Sequence, residues 1–399
     1  MPDRITSPAV PGTEHTEPGE YTESGVYLYP ARELRIGCHG CHTCARNDRM
    51  RPVWAVANRI REQRVRLGAL AGSVKLVHGP AGLPVRPDEP AVLCLVRDGE
   101  MWIQSFVDHY MSLGVKHILF LDNGSTDATV SAASRLRNVS VYTTSIPFRN
   151  YELGMRRWLS RTFGKARWTL APDVDELWDY PYSDRLSLPA FIAYLDHYGY
   201  QAVAAHALDM FSDVPFSSLH STPDDNVKEK YRLYDLEGMQ ETRQMYWISN
   251  GQTSSERITA KFGGVRQRLF GSYCLLQTRH ALHYTGNGSD PYRYDGHFTA
   301  GARVADVSTV LLHYKFLSTL YDQAVTNMKL GQHHRGSHHY AGFVKVLSEH
   351  PNFNMRTPTT RTLHDVNELV DLGLTVVSDE YLQWVDKYGS RSSGTGGGA

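Results

Sequence analysis

Asp173 and Asp175 are the side chains in this sequence best spaced to do chemistry together. They close the run Arg167-Trp168-Thr169-Leu170-Ala171-Pro172-Asp173-Val174-Asp175-Glu176-Leu177-Trp178. Residues two apart in a strand face the same side, so both carboxylates can meet one ligand. Held that close they repel each other unless something positive lies between them. A divalent cation with oxygen ligands meets that need. The start of a helix would favour the same acids, because its N-terminus is the positive end of the dipole. From these residues alone, both readings stand.

The elements around the pair narrow the choice. Ala91-Val92-Leu93-Cys94-Leu95-Val96 is a continuous apolar run suited to a strand covered on both faces, and Arg97-Asp98-Gly99-Glu100 breaks it. Met101 to Leu113 has helical spacing, with Trp102, Phe106 and Tyr110 four residues apart, and Gly114 ends it. Val115 to Leu121 reads as the next strand. Asp122-Asn123-Gly124-Ser125-Thr126-Asp127 reads as a turn capping a helix that runs to Arg137. Val139 to Thr143 gives a third strand and Tyr151 to Phe163 another helix. Strands alternating with helices predict an α/β fold with a mostly parallel sheet and right-handed crossovers. Ligands in such sheets bind beyond the carboxyl ends of the strands, where this chain carries Arg97 and Asp98, Asp122, and then Asp173 and Asp175.

Composition limits the alternatives. Lys plus Arg and Asp plus Glu both number 42 in 399 residues, so no overall field draws the chain to nucleic acid or to an anionic membrane. No apolar run is long enough to span a bilayer, and residues 1 to 25, polar and rich in Pro, Glu and Thr, lack the apolar centre of a signal peptide. That segment is expected to be disordered, the tail 389–399 flexible, and the protein cytoplasmic. Residues 26–88 form a distinct extension. Within it, Cys38, Cys41 and Cys44, with His39 and His42 between them, could hold Zn2+ or an iron–sulfur cluster, or could be a reduced cysteine loop.

The order of these motifs resembles the family 2-like glycosyltransferases of the GT-A fold, in a bacterial branch also similar to family 92. The resemblance rests on Val96-Arg97-Asp98-Gly99-Glu100, the turn 122–127, and Asp173-Val174-Asp175-Glu176. It continues in Gly263-Gly264-Val265-Arg266-Gln267-Arg268-Leu269-Phe270-Gly271 and in the run from Val304 to Phe316 that contains His313. It implies a GT-A-like catalytic domain over residues 89–318 and a helical C-terminal part over 319–388. It also implies a nucleotide-diphosphate-sugar donor, with Mn2+ or Mg2+ held by Asp173, Asp175 and His313, and Arg97, Asp98 and Asp122 at the nucleotide. Where relatives often show Arg-Asn-Glu, this chain has Gly99 before Glu100. Lys315, two residues beyond His313, shares its face of an extended chain and offers a phosphate contact. Arg266 and Arg268 are expected on one strand face, meeting phosphate or flanking an edge strand.

An inverting transferase needs a general base at the acceptor hydroxyl. Asp290, then His297, are the candidates, with Asp295 in the same loop. The histidines 333, 334, 338 and 339 with Arg335 read as a loop closing over the donor or as polar surface. The polar stretch from Ser212 to Gly263 reads as an insertion on the acceptor side, the acceptor being a glycan, a lipid or a small molecule. Two other classes fit the same residues. A metal-dependent phosphoester hydrolase would turn over simple esters without an acceptor. A non-catalytic nucleotide- or glycan-binding module would bind its nucleotide equally well without metal.

Overall fold

The computed structural model describes residues 68–242, 257–271, 276–293, 296–330 and 340–390, with short strand segments at 20–21 and 27–28. The Cys38–Cys44 cluster, Asp295 and the histidines 333–339 lie outside the described residues.

Nine strands form one sheet: β1 (Lys75–His78), β2 (Ala91–Val96), β3 (Ile118–Asp122), β4 (Val139–Thr143), β5 (Trp168–Leu170), β6 (Glu176–Asp179), β7 (Ala202–Asp209), β8 (Thr278–Tyr284) and β9 (Val304–His313). Their spatial order is β1-β4-β3-β2-β5-β8-β7-β9-β6. Strands β2, β3, β4, β5, β7 and β9 point one way, and β1, β8 and β6 point the other. The fold is therefore mixed α/β with a large, mostly parallel sheet, as expected. The three reversed strands have a functional consequence: they bring their amino ends to the edge where the parallel strands bring their carboxyl ends.

The continuous apolar run of β2 is explained by helices on both faces. Val92, Cys94 and Val96 pack with Trp102, Ile103, Phe106 and Tyr110 of helix α1 (Glu100–Ser112). Leu93 and Leu95 pack with Met155 and Leu159 of the later helix Phe148–Phe163. Helix α1 is also tied by polar bonds to the strand that follows the paired aspartates. Tyr110 Oη donates to the Glu176 carbonyl at 3.0 Å and accepts from Trp178 N at 2.8 Å, while His109 Nε2 donates to the Trp178 carbonyl at 2.7 Å. Trp102 Nε1 reaches the Tyr314 carbonyl just past β9 at 2.8 Å.

Two local expectations are corrected. The helix after the turn, α2 (Thr129–Ala133), stops well short of Arg137, because Ser134 to Asn138 turn the chain into β4. Arg266 and Arg268 do not lie on a strand face. Gly263 and Gly264, at φ +80° and +82°, bend the chain out of a short strand (Ala260–Gly263) into a helix over Val265–Phe270. A Cβ on Gly263 would lie 2.6 Å from the Gly238 carbonyl, so only glycine permits this bend. Of the later helices, Phe148–Phe163 is labelled α3, Leu188–His197 α4 and Val265–Phe270 α5. Helix α5 packs through Val265, Leu269 and Phe270 into a second core with two C-terminal helices, Leu320–Leu330 and Tyr340–Glu349.

Candidate active site at the carboxyl edge of the sheet

Asp173 lies in the loop that leaves β5 and is held on both carboxylate oxygens. Arg156 Nη2 of α3 donates to Oδ1 at 2.7 Å, and Arg279 Nη1 at the start of β8 donates to Oδ2 at 3.1 Å. The second amino group of Arg279 pairs with Glu176, whose other oxygen accepts from the Asp173 backbone N at 2.9 Å. Burial alone would raise the Asp173 carboxyl, but the two guanidinium groups hold it well below the ordinary carboxylate range.

Asp175 has different neighbours. Its Oδ2 lies 3.3 Å from His313 Nε2 at the end of β9 and 3.8 Å from Lys315 Nζ. Burial opposes ionisation here too, and His313 and Lys315 overcome it, keeping the carboxyl well below its usual range. The other ring nitrogen, His313 Nδ1, meets Asp209 Oδ1 at 2.7 Å, and Asp209 Oδ2 accepts from Arg266 Nε at 2.9 Å. The Lys315 ammonium lies 5.6 Å from the Tyr340 ring centroid. Tyr340 and Asp175 raise its pKa against the lowering effect of burial.

The first two strand ends form a linked pair of loops. Asp98, in the left-handed region at φ +49°, accepts from Thr126 N at 2.7 Å, and its own N–H donates to Ser125 Oγ at 2.8 Å. Asp122 accepts from Gly124 N at 3.0 Å, from Ser125 N at 3.1 Å and from the Ser125 hydroxyl. Burial nevertheless raises its pKa. Arg97 Nε is 3.5 Å from Asp98. Glu100 caps the next loop by accepting from Ala128 N at 3.2 Å, and its own N–H donates to Asp127. Gly99 explains itself by contact. A Cβ there would come within 2.7 Å of Val96 and 3.1 Å of Val174, the residue between the paired aspartates. The two loop systems therefore touch.

The remaining candidates have other partners. Asp290 accepts from Arg157 at 2.8 Å and from Arg161 at 3.2 Å. His297 is exposed, and its carbonyl accepts from His280 N at 2.8 Å. Lys228 and Arg232, from the polar insertion, line a cavity of about 270 Å³ with Asp179, Tyr314 and His364. Leu312 and Tyr314 border that cavity, whereas His313, between them, points to the other side of β9 toward Asp209.

The sequence reading does not single out Asp209, Arg156 or Arg279, and it quotes Glu176 only as the end of the acidic motif. Asp209 carried the usable signal: like Asp122, it is an acid closing an apolar run. Arg279 opens an antiparallel strand, so no strand-end rule points to it. Among the described residues, no group of three or more His, Cys, Asp or Glu is arranged to hold a metal unaided.

No family model and no curated protein sequence matches the chain. Solved structures similar to it include S. aureus TarS, at 11% identity and a TM-score of 0.28, covering 67% of this chain and 44% of that one. Another is glucosyl-3-phosphoglycerate synthase from Mycobacterium tuberculosis in complex with Mn2+, uridine diphosphate and glucosyl-3-phosphoglycerate. It aligns at 18% identity and a TM-score of 0.20, over 40% of this chain and 50% of that one. The chain thus spans about half the length of each, and likeness at this level carries no argument about activity.

Proposed function

We propose that the chain is a cation-dependent glycosyltransferase that takes a nucleotide-diphosphate sugar and passes the sugar, with inversion, to an acceptor hydroxyl. The observation that carries this reading is the pairing of Asp175 with His313 at the carboxyl edge of the sheet, beside the loops of Asp98 and Asp122. The order of sequence motifs supports it.

The donor set suits Mn2+ or Mg2+. Asp175 offers carboxylate oxygen and His313 offers a ring nitrogen, leaving diphosphate oxygens and water to complete the shell, as small hard cations prefer. Asp173 does not fit as a ligand, because both its oxygens are engaged by arginines. Charge supports the same reading. Asp173, Asp175, Glu176 and Asp209 face Arg156, Arg279, Arg266 and Lys315, four against four, so an arriving diphosphate meets a nearly neutral site. A bound cation would supply the charge that stabilises the departing diphosphate. Lys315, already counted in that balance, is the positive group beside Asp175. Arg97, Asp98 and Asp122 shape the loops that hold base and ribose. For Asp290 to act as the base it must first leave Arg157 and Arg161; His297 is the second candidate.

Thermal stability against UDP, GDP, CDP and dTDP, each with and without Mn2+, tests the reading, since a ligand that binds only the native state raises the melting temperature. One nucleotide should stabilise the protein in a Mn2+-dependent way. Absence of any response to all four would sink the proposal.

A further inference from the structure

We infer that Asp209, clamped by Arg266, is a positioning residue that fixes His313 with its proton on Nδ1 and so turns the Nε2 lone pair toward a cation shared with Asp175. The inference rests on the cation-dependent reading above and assigns a role to two residues that the reading leaves without one.

The register of the sheet creates the contact. Strands β7 and β9 are parallel neighbours with Asp209 directly opposite His313, and β6 places Glu176 opposite His313 on the other side. An ionised carboxylate can only accept, so the 2.7 Å contact from Asp209 requires the proton on Nδ1. Nε2 faces Asp175 Oδ2 at 3.3 Å, a gap that a proton on Nε2 or a cation would bridge. With a cation there, Nε2 would offer its lone pair while the Nδ1 proton stays directed at Asp209.

Asp209 is held in turn. Arg266 Nε takes its other oxygen at 2.9 Å, Arg266 Nη2 donates to Gln277 Oε1 at 2.8 Å, and Gln277 Nε2 donates to the Gly263 carbonyl at 2.7 Å. That last bond returns to the glycine bend from which α5 starts. The Gly-Gly-Val-Arg segment therefore works as a bracket for Asp209. A carboxylate that orients a metal-bound histidine through its far nitrogen commonly controls metal affinity.

Asp209→Asn discriminates the idea. Its single amide oxygen faces two donors, Arg266 Nε and His313 Nδ1. Arginine cannot accept, so the oxygen goes to Arg266 and the amide NH2 faces His313, which must then carry its proton on Nε2. In the double variant Asp209→Asn with Arg266→Gln, the new glutamine can accept from the asparagine, which frees the amide oxygen for Nδ1. Mn2+ uptake is read on the full chain by electron paramagnetic resonance, alone and with UDP, GDP, CDP or dTDP in turn. Asp209→Asn should weaken Mn2+ binding about 10- to 100-fold, and the double variant should recover most of that loss.

Unchanged Mn2+ affinity in Asp209→Asn, or a double variant as weak as the single one, would overturn the inference. Should the single variant fail to fold, the double variant decides: near-native affinity supports the relay, and a loss of about tenfold or more overturns it. Wild-type protein that takes up no Mn2+ under any of these conditions overturns the cation reading itself, a different result from variants that match a binding wild type.

Discussion

Arg279 donates to Asp173 at 3.1 Å across 106 residues of sequence, and its other amino group pairs with Glu176. With Arg156 on the remaining oxygen, this contact separates the roles of the two aspartates. Asp173 is committed to holding the loop between β5 and β6. Asp175 faces a histidine and a lysine, and is the one that the proposed function assigns to a cation.

Removing Arg279 should therefore act on stability first. Glu176, its side chain only 3% exposed, would lose its guanidinium partner, and a buried pair broken on one side typically costs about 3–5 kcal/mol. Arg279→Ala should lower the urea midpoint accordingly. Arg156→Ala should cost less, because Asp173 is 35% exposed and keeps Arg279. Equal midpoints for the two variants would contradict this division.

The aspartates should also separate in cation binding. Asp175→Ala should abolish Mn2+-dependent stabilisation by nucleotide and reduce sugar transfer by about 100-fold or more, as when one preorganised charge stabiliser is lost. Asp173→Asn should change Mn2+ affinity by less than about tenfold, which is 1.4 kcal/mol. Titration of both variants with Mn2+ checks the order, and a reversed order would mean that Asp173 is the ligand.

Buried imidazoles predict an acid limit to stability. Burial lowers His109, His206 and His280 to about 3 and His283 to about 4. Unfolded, each takes up its proton near pH 6.5. Between those values the unfolded chain binds more protons than the fold does, so stability falls as pH falls, by about 1.4 kcal/mol per unit for each ring. The depressed carboxyls of Asp173 and Asp175 add to this loss only below about pH 4. Urea midpoints measured from pH 7 to pH 5 should therefore drop before the depressed carboxyls of Asp173 and Asp175 contribute. A flat profile over that range would exclude neutral buried histidines.

Gly263→Ala should be costly for two reasons that compound. A left-handed backbone disfavours any L side chain by about 1–2 kcal/mol, and the new Cβ would lie 2.6 Å from the Gly238 carbonyl. Relief requires α5 to move, carrying Arg266 away from Asp209. A lower melting temperature together with a weaker Mn2+ response is expected. A loss of stability with full Mn2+ response would show that the bend does not serve the site.

Much of the framework was legible because its signals are local. Ala91–Val96 reads as a doubly covered strand since alternate residues meet different helices, and Gly114 ends α1 where the helical spacing ends. Acids closing apolar runs marked the edge where Asp122, Asp173 and Asp175 converge. Where two local rules competed, the reading failed. Gly-Gly before Val265-Arg266 fits an edge strand or a helix start equally well, and contacts with Phe316 and Phe343 in the second core favour the helix.

By itself, then, the sequence determined the alternation of strands and helices and the stock of carboxylates at the strand ends, because both follow from periodicity and from what can follow an apolar run. Only the tertiary structure decided which partner each carboxylate has. Arg279 reaches Asp173 because β8 runs antiparallel to β5, and Asp209 reaches His313 because β7 and β9 run parallel in one register. Strand direction and register are fixed by packing over the whole sheet, and no local stretch of residues encodes them.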